Sequence, residues 1–396
     1  MAPSASIRDA SAMLAYDLMS YYQNNQSSTA VTAIGTLPAP LYWWEAGAVW
    51  GGMIDYWAYT NDTSYVHTVQ QALLAQVGPK DDYMMPAYYP SLGNDDQTFW
   101  AIAALSAAEY GFPAPSFFQI AARLAHYTGN ETYVTWAEKT WDWMSAVGLI
   151  DQNYNVYDGT DDTLNCSKLD HTMWSYNPSM LLYGTAMLYN FTNGSQIWEK
   201  RTTGLLESCA NTFFSPSSNA TSIMCEPSCE PTGTCDVDQL SFKAYTSRWM
   251  AKASIVAPYI AGSVSVLLTR SAEAAAQACS GGASGSMCGV KWYVGGFDGV
   301  TGVGQELSAL ETVQALLLLR DGGVDAARRY PLTSEDVHVS VASSPTSTFL
   351  IPPKTCAIES ATGTSSASSE SWRLRSAVSI PAQLMLGLGT GVWFAR

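Results

Sequence analysis

The sequence predicts an all-α fold in which paired helices close into a toroid, and three observations predict it. Apolar and small residues recur at three- and four-residue spacing through most of residues 5–321, which is the period of an amphipathic helix. Sustained alternation with a period of two, the pattern of strands, is scarce before residue 336. We find no repeat of fixed length, which argues against an extended helical array. Since 47% of the 396 residues are hydrophobic, the chain can bury a large core.

Eleven segments carry the helical pattern, and we find no clear twelfth. Gly-Phe-Pro follows Tyr110, Thr-Gly-Asn follows Tyr127 and Asp-Gly-Gly follows Arg320, and each combination is typical of a helix end. Alternating residues over 336–342 predict one short strand. The helical segments are 5–23, 42–59, 63–78, 94–110, 115–128, 132–148, 178–191, 195–213, 237–252, 255–278 and 304–320.

The composition favours a carbohydrate ligand. The formal net charge of -15 argues against a nucleic-acid partner, because no basic stripe is available to neutralise phosphates. The 14 Trp and 22 Tyr residues outnumber the 11 Phe residues. Trp and Tyr rings keep a polar group, so they can pack in a core and also stack on the apolar faces of sugars.

Two features indicate the secretory route. Seven Asn-x-Ser/Thr sequons predict a glycosylated surface. The eight cysteines lack the spacing of zinc sites, so disulfides are expected, with Cys279–Cys288 and Cys229–Cys235 as the predicted pairs. The first residues do not form a signal peptide, so a mature or trimmed form is expected. The sequon asparagines are Asn25, Asn61, Asn130, Asn165, Asn190, Asn193 and Asn219, and the unassigned cysteines are Cys166, Cys209, Cys225 and Cys356.

The C-terminal part of the chain changes character. Residues 1–355 are assigned to the barrel, 356–376 to a Ser/Thr-rich spacer and 377–396 to an apolar tail. Small residues, here from Ser365 onward, a polar spacer and a terminal apolar stretch make up the attachment signal of a glycosylphosphatidylinositol (GPI) anchor. A membrane-spanning helix and a docked last element are alternatives, although Pro381 and three glycines weaken the helix. The expectation is a secreted protein at the cell surface or wall, attached to the membrane only through the anchor.

Several catalytic motifs are absent from the sequence. It contains no HExxH, no GxSxG and no P-loop. Gly302-Val303-Gly304 lacks the third glycine and the preceding strand of a dinucleotide fingerprint. No metal or cofactor is therefore expected, and carboxylates remain as the catalytic groups.

The outstanding polar cluster is Asn94-Asp95-Asp96-Gln97, flanked by Tyr88-Tyr89 and Phe99-Trp100. One interpretation is helix capping, because Asn is a good N-cap and acids in a first turn interact favourably with the helix dipole. The surrounding rings and the extra amide favour a sugar site instead. A retaining glycosidase needs two carboxyl groups about 5–5.5 Å apart, and neighbouring residues at a helix start can reach that separation.

This cluster is similar to the signature of glycoside hydrolase family 76, the endo-α-1,6-mannanases. The wider chain resembles the fungal branch of that family, which consists of GPI-anchored cell-wall proteins. Four further blocks carry the resemblance in the right order: 43–47, 174–177, 238–243 and 298–305.

The resemblance implies an (α/α)6 barrel with a groove at one mouth and a retaining mechanism, with Asp95 as nucleophile and Asp96 as acid/base. It implies an α-1,6-mannosyl glycan as donor. The fungal branch is thought to link GPI-derived glycans to wall glucan, so a β-glucan acceptor and transglycosylation are implied as well. Plain hydrolysis of mannan, action on another glycoside, and non-catalytic glycan binding remain as alternatives.

The predicted substrate-binding residues either surround the carboxyl pair or lie near the start of another helix. Each has a structural alternative: core packing for the rings and capping or loop organisation for the polar groups. Glu45 is a further residue that can line the groove, whereas Arg248 and Trp249 are interpreted as structural. The predicted residues are Trp43, Trp44, Tyr88, Tyr89, Asn94, Gln97, Asp238, Gln239, Lys243 and Asp298.

Overall fold

The structure is a computed structural model that describes residues 2–26, 28–79, 82–93, 96–110, 132–161 and 164–321. Asn94 and Asp95 lie outside these ranges. The same is true of four predicted segments, namely the helix 115–128, the strand 336–342, the spacer 356–376 and the tail 377–396.

Within the described ranges the chain forms ten α-helices, which confirms the predicted all-α fold. The observed helix starts differ most from the predicted ones in the segments 237–252 and 255–278, where the 3-10 turns Gln239–Ser241 and Pro258–Ile260 precede the helices. The predictions missed two short antiparallel strand pairs. The helices are α1 (Ser4–Met19), α2 (Trp43–Thr60), α3 (Val66–Ala75), α4 (Asp96–Glu109), α5 (Thr132–Val147), α6 (Tyr176–Phe191), α7 (Gln196–Phe213), α8 (Phe242–Val256), α9 (Ala261–Ala278) and α10 (Val303–Asp321), and the strand pairs are β1 (Gly159–Thr160) with β2 (Leu169–Asp170) and β3 (Cys279–Gly281) with β4 (Met287–Cys288).

The even-numbered helices form an inner layer, and burial separates them from the outer helices. Thirteen of the fifteen residues of α8 are buried, so this helix is enclosed on all sides. Only seven of the eighteen residues of α9 are buried, in a stripe from Val264 to Ala278, so one face of α9 is covered. Inner helix α10 packs against both α2 and α8, α2 packs against α4, and α8 packs against α6. Outer helices α1 and α9 pack on α10, and α7 packs on α6.

The inner helices run in the same direction. Near their starts, the indole Nε1 of Trp100 in α4 donates a hydrogen bond to the carbonyl of Trp43 in α2 at 3.0 Å. Further along, Lys252 of α8 reaches Asp55 of α2 at 3.0 Å and Ser106 of α4 at 3.2 Å. Contacts between starts and contacts between later turns occur together only when the helices are parallel. The N-terminal ends of the inner helices therefore lie at the same end of the barrel.

A buried cluster of four charged side chains, here called the central ionic cluster, ties three inner helices together. Arg248 of α8 binds Glu311 of α10 at 2.5 Å and Asp55 of α2 at 3.5 Å. Lys252 completes the cluster through Asp55, and each of the four residues is at most 5% exposed. The two positive charges of the cluster balance its two negative charges, as burial of ionic groups requires. The structural interpretation of Arg248 agrees with these contacts.

Both predicted disulfides are present, Cys229–Cys235 and Cys279–Cys288. Each closes a loop in the chain that leads to an inner helix, the first before α8 and the second before α10. Cys166 is also disulfide-bonded, whereas Cys209 and Cys225 are buried free thiols. The two confirmed bonds therefore restrain the loops that approach the N-terminal end of the barrel.

Candidate active site

The starts of the inner helices meet at one end of the barrel, which we call the mouth. Phe242 at the start of α8 packs on Tyr176 at the start of α6, with ring centroids 4.3 Å apart. Ser308 of α10 donates a hydrogen bond to the carbonyl of Leu240, just before α8, at 3.0 Å. Helix N-termini present free N–H groups and the positive ends of helix dipoles, which favour bound oxygen atoms. The backbone that surrounds the mouth consists of residues 42–45, 88–93, 96–97, 174–177, 236–242 and 301–305.

Asp96 lies at the mouth as the first residue of α4. Its side chain is half-buried, and Oδ2 accepts a hydrogen bond from the N–H of Gly93 at 2.9 Å. Gln97 beside it is also half-buried, and one turn further in Phe99 and Trp100 are buried. The structure thus places one of the two predicted catalytic carboxyl groups at the mouth, above aromatic rings. The location of Asp95 stays a prediction.

Trp43 belongs to an aromatic stack beneath the mouth. Its ring lies against Tyr88 at 5.4 Å with a 25° interplanar angle and against Trp100 at 5.2 Å with a 26° angle. Its Nε1 donates to Oε1 of Gln76 at 2.8 Å, and only 8% of the residue is exposed. Most of this ring is therefore occupied by packing, which was the alternative interpretation of it.

The next ring, Trp44, packs on Phe99 at 4.5 Å and on Tyr245 at 6.1 Å, which joins α2, α4 and α8. Trp44 is 9% exposed, and Tyr88 is half-buried. Tyr89, in the turn before α4, is 47% exposed. Among the four predicted sugar-stacking rings, Tyr89 has the most free surface.

Asp238 and Gln239 lie at the start of α8 and are half-buried. Oε1 of Gln239 accepts a hydrogen bond from the N–H of Asp236 at 2.7 Å, which organises the turn before the helix. Asp238 and Asp236 are close enough to Glu45 at the start of α2 to act on its carboxyl electrostatically. These two predicted residues, which come just before α8, therefore lie on the same side of the mouth as the 43–47 block.

Lys243, predicted to bind substrate, is buried instead. Its ammonium forms an ion pair with Glu230 at 2.8 Å and lies 4.0 Å from the ring centroid of Trp292. It also donates a hydrogen bond to the carbonyl of Val290. With no exposed surface, the side chain holds the loops beside α8 together and does not reach the mouth.

Asp298 organises the loop before α10. Oδ2 accepts hydrogen bonds from the N–H groups of Val290 at 3.2 Å and Lys291 at 2.9 Å, and Oδ1 accepts one from Val300 at 3.4 Å. Three backbone donors on one carboxylate account for an acid in this glycine-rich segment. The loop interpretation explains Asp298 without a ligand.

Three buried carboxyl groups lie beside inner-helix starts, and burial is the main cause that raises the pKa of each. Glu45, which accepts the N–H of Tyr42, has a pKa of about 8, to which the charges of Asp238 and Asp236 also contribute. Glu226, which accepts the N–H of Ser175 before α6, has a pKa of about 8. Glu306, in the first turn of α10, has a pKa of about 7. All three are therefore largely protonated in the folded protein at mildly acidic pH.

These acids make the folded protein more stable in mild acid than in mild alkali. Because the folded-state pKa of Glu306 is raised, the stability it contributes is complete below its unfolded pKa of about 4.5 and is lost as the pH rises through about 7. Glu306→Gln removes this titration but keeps an oxygen for Thr301 and the N–H of Cys288. Between about pH 5 and about pH 8, the variant should lose about 2 kcal/mol less free energy of unfolding than the wild type. Denaturant titrations at the two pH values test this, and equal losses would contradict it.

The predictions did not include two residues near the mouth. Tyr42, directly before α2, is 42% exposed, but it precedes the matched block and gave no signal. Asp158 lies before α6, and burial followed by the charge of Asp170 raises its pKa, while a hydrogen bond from Trp174 opposes the rise. Asp158-Gly159 is typical of a turn, and it lies between the predicted helices 132–148 and 178–191.

A helical barrel with a carboxylate and aromatic rings at the inner-helix starts can bind and cleave a glycoside. The described residues contain no cluster of three or more His, Cys, Asp or Glu side chains able to hold a metal ion. The described residues thus form a helical barrel with a carboxylate and aromatic rings at the starts of its inner helices.

The chain belongs to glycosyl hydrolase family 76, because the sequence model of that family matches residues 6–117 and 114–327. The chain is 37% identical to the mannan endo-1,6-α-mannosidase DCW1 of Saccharomyces cerevisiae, over 78% of each chain. It is also 37% identical to the enzyme of the same name from Candida albicans, over 79% of this chain and 80% of the relative. The predicted family and its fungal branch are thereby confirmed.

Solved structures agree with this assignment. The chain resembles Dfg5 of Chaetomium thermophilum in complex with glucosamine, with a TM-score of 0.73 and 36% identity over 79% of this chain and 90% of Dfg5. It shares its fold with the α-1,6-mannanase GH76A of Salegentibacter sp. HEL1_6, in an inactive variant bound to α-1,6-mannotetrose. That match has a TM-score of 0.54 at 16% identity, over 79% of this chain and 99% of the enzyme. The predicted (α/α)6 barrel is confirmed.

The chain is shorter than its relatives inside the matched span. The alignment with S. cerevisiae DCW1 runs over 361 positions, yet it takes up 78% of 396 residues, which is about 309 residues. About fifty aligned positions therefore have no residue in this chain. The family match is in two parts that overlap at 114–117, between α4 and α5.

Proposed function

We propose that this protein is a retaining endo-acting α-1,6-mannosidase of the family 76 type that acts on α-1,6-mannosyl glycans. The observation that carries the proposal is the half-buried Asp96 at the start of α4, held by the N–H of Gly93 above a layer of aromatic rings. The names of the relatives, mannan endo-1,6-α-mannosidases at 37% identity, support the same substrate class.

In the proposed mechanism, the carboxylate of Asp95 attacks the anomeric carbon while Asp96 gives its proton to the leaving glycosidic oxygen. The bond to the leaving sugar breaks, and a mannosyl ester of Asp95 forms. Asp96, now a carboxylate, then removes a proton from the incoming hydroxyl group, which attacks the anomeric carbon and releases Asp95. The acid and the nucleophile regain their starting states.

We further propose that the incoming hydroxyl group comes from a sugar more often than from water. Exposed rings at the mouth, Tyr89 in particular, support an acceptor-binding role, because a stacked sugar has a high effective concentration at the reacting carbon. A β-glucan of the cell wall is the proposed acceptor. The reaction would join a mannosyl glycan, such as that of a GPI-anchored protein, to the wall.

The proposed location is the cell surface or wall, with a GPI anchor as the membrane attachment. Six of the seven sequon asparagines lie in the described ranges, and all six are exposed, as glycosylation requires. Two disulfides in the described ranges support an oxidising compartment. None of the described helices combines the length and the apolar character that a membrane span needs. The proposed anchor signal, residues 356–396, lies outside the described ranges.

Product analysis by mass spectrometry tests this proposal. The protein is incubated with reducing-end-labelled α-1,6-mannohexaose, with and without a β-1,3-glucan oligosaccharide. We expect shorter mannosides without the acceptor, and with it a product whose mass combines a mannosyl fragment and the glucan. Transfer should exceed hydrolysis at high acceptor concentration.

The remaining outcomes separate the alternatives. Free mannosides alone at high acceptor concentration would show a plain mannanase, and the cross-linking role would be dropped. Binding of the hexaose without any cleavage would favour a glycan-binding wall protein. Cleavage of a different glycoside with the mannoside left intact would overturn the proposed substrate class.

A further inference from the structure

Two exposed tyrosines belong to the segments that lead into α2 and α4 at the mouth. Trp43 and Tyr88 stack under the mouth with their centroids 5.4 Å apart, and each is next in sequence to one of them. Tyr42 is 42% exposed and Tyr89 is 47% exposed. Because their sequence neighbours Trp43 and Tyr88 are in contact, the backbone segments that carry the two exposed tyrosines lie next to each other, between the starts of α2 and α4.

Glu45 fixes the backbone that carries Tyr42. Its Oε2 accepts the N–H of Tyr42 at 2.7 Å, as in the returning half of a capping box. The residue is 2% exposed, and its other oxygen, Oε1, is buried without a hydrogen-bond partner in the described part of the chain. A buried polar atom without a partner destabilises the fold. The contact that caps α2 therefore also fixes the backbone position of Tyr42.

Tyr42 also lies at the same end of the barrel as Asp96, the predicted acid/base. The carbonyl of Trp43, the residue after it, accepts the indole N–H of Trp100, which lies one turn below Asp96. The axes of packed helices lie about 8–10 Å apart, so the start of α2, which Tyr42 precedes, and the start of α4, which Asp96 forms, are separated by about that distance. This separation suits a sugar unit other than the one whose bond is broken.

We propose that Tyr42 is a sugar-stacking platform at the mouth, and that Glu45 is the residue that positions it. The occupant is a hexose unit of the mannosyl chain, located away from the cleaved bond. A tyrosine ring covers the apolar face of a sugar while its hydroxyl stays in water. The proposal rests on the proposed function, because it names a subsite of the same groove.

The first test compares substrates of two lengths. Tyr42→Ala should raise KM for α-1,6-mannohexaose about fivefold to tenfold, as expected for one lost stacking contact, and leave KM for α-1,6-mannotriose within about twofold. The kcat values should not change. Tyr42→Phe, which keeps the ring, should behave like the wild type. Tyr16→Ala is the matched control, because Tyr16 is 68% exposed on the outer helix α1.

The second test examines the positioning role. Glu45→Ala should reproduce the rise in KM of Tyr42→Ala, whereas Glu45→Gln keeps an acceptor oxygen and should rescue binding. If Glu45→Ala does not fold, the Tyr42 variants and Glu45→Gln still test the proposal. A Glu45→Gln variant that binds the hexaose as weakly as Tyr42→Ala would contradict the positioning role.

Calorimetry separates this proposal from the proposed function. With Asp96→Ala added to prevent cleavage, Tyr42→Ala should weaken the Kd for mannohexaose by the same factor as it raises KM. Unchanged KM and Kd would overturn the Tyr42 platform while cleavage by the wild type kept the proposed function intact. If the wild type cleaves nothing, the proposed activity fails and the Kd comparison alone decides on Tyr42.

Discussion

Replacement of Asp96 by asparagine should lower kcat on an α-1,6-mannosyl substrate about a thousandfold, which is within the usual range for loss of a general acid/base. The amide can neither protonate the leaving oxygen nor deprotonate the incoming hydroxyl group. Its oxygen can still accept the N–H of Gly93, which Asp96 binds at 2.9 Å. The thermal midpoint should therefore hold, or rise as repulsion from Asp95 is relieved. Steady-state kinetics and a thermal melt on the same preparation measure both quantities.

Two controls make this result specific. Asparagine at this position would create an Asn-Gln-Thr sequon with Gln97 and Thr98, so Asp96→Ala should be made in parallel in a glycosylating host. Asp142→Asn changes an acid on the outer helix α5 whose side chain is 74% exposed, and it should retain full activity. Near-normal turnover in both Asp96 variants would show that Asp96 is only a helix cap.

Replacement of Arg248 by methionine should have the largest effect on stability. The guanidinium neutralises Glu311 at 2.5 Å and Asp55 at 3.5 Å, and both acids are at most 1% exposed. Methionine fills part of the volume but leaves a buried carboxylate uncompensated. Breaking a buried pair in this way typically destabilises a protein by about 3–5 kcal/mol. Urea unfolding monitored by tryptophan fluorescence should show the loss.

Arg270→Met provides the matched control for Arg248→Met. Arg270 also pairs with a glutamate, Glu273 at 3.0 Å, but both side chains are more than half exposed. Exposed pairs of this kind contribute about 0–1 kcal/mol. Equal losses in the two variants would mean that the central ionic cluster does not hold α2, α8 and α10 together.

The helices were predictable because their physical signals are local. Spacing of apolar residues identified the segment now described as α2, and Gly and Pro combinations marked several helix ends. The ends failed where tertiary structure decides them, as at Ala257-Pro258, where a 3-10 turn precedes α9. The β3–β4 pair is too short for a periodic pattern, although the predicted disulfide Cys279–Cys288 joins these two strands.

The number of predicted helical segments can be compared with the number of helices that the fold needs. Six helix pairs need twelve helices, and the sequence carries eleven helical segments. The relatives have about fifty aligned positions that this chain lacks, and the family match divides at 114–117, at the start of the fifth segment. The difference in length therefore falls within the span that supplies the helix pairs.

The family blocks led to one end of the barrel, but the role of each residue there was less predictable. All five family blocks lie at or just before inner-helix starts, so the residues that carry the resemblance are those around the mouth. The resemblance did not distinguish Lys243, whose charge is neutralised by Glu230 in the interior, from a ligand-binding group. Burial and pairing of this kind depend on loops distant in sequence, so composition and spacing do not reveal them. Tyr42 was not predicted, because the exposure of a side chain, like its burial, depends on tertiary structure.

The central claim is that the mouth, where Asp96 begins α4, receives an α-1,6-mannosyl glycan across the starts of the inner helices. A crystal structure of the Asp96→Ala variant soaked with α-1,6-mannotetraose tests it most directly. We expect one glycosidic oxygen next to the position of the missing carboxyl group and a further sugar unit against Tyr42 or Tyr89. A tetraose bound only on the outer helices, or a mouth left empty at saturating ligand, would contradict the claim.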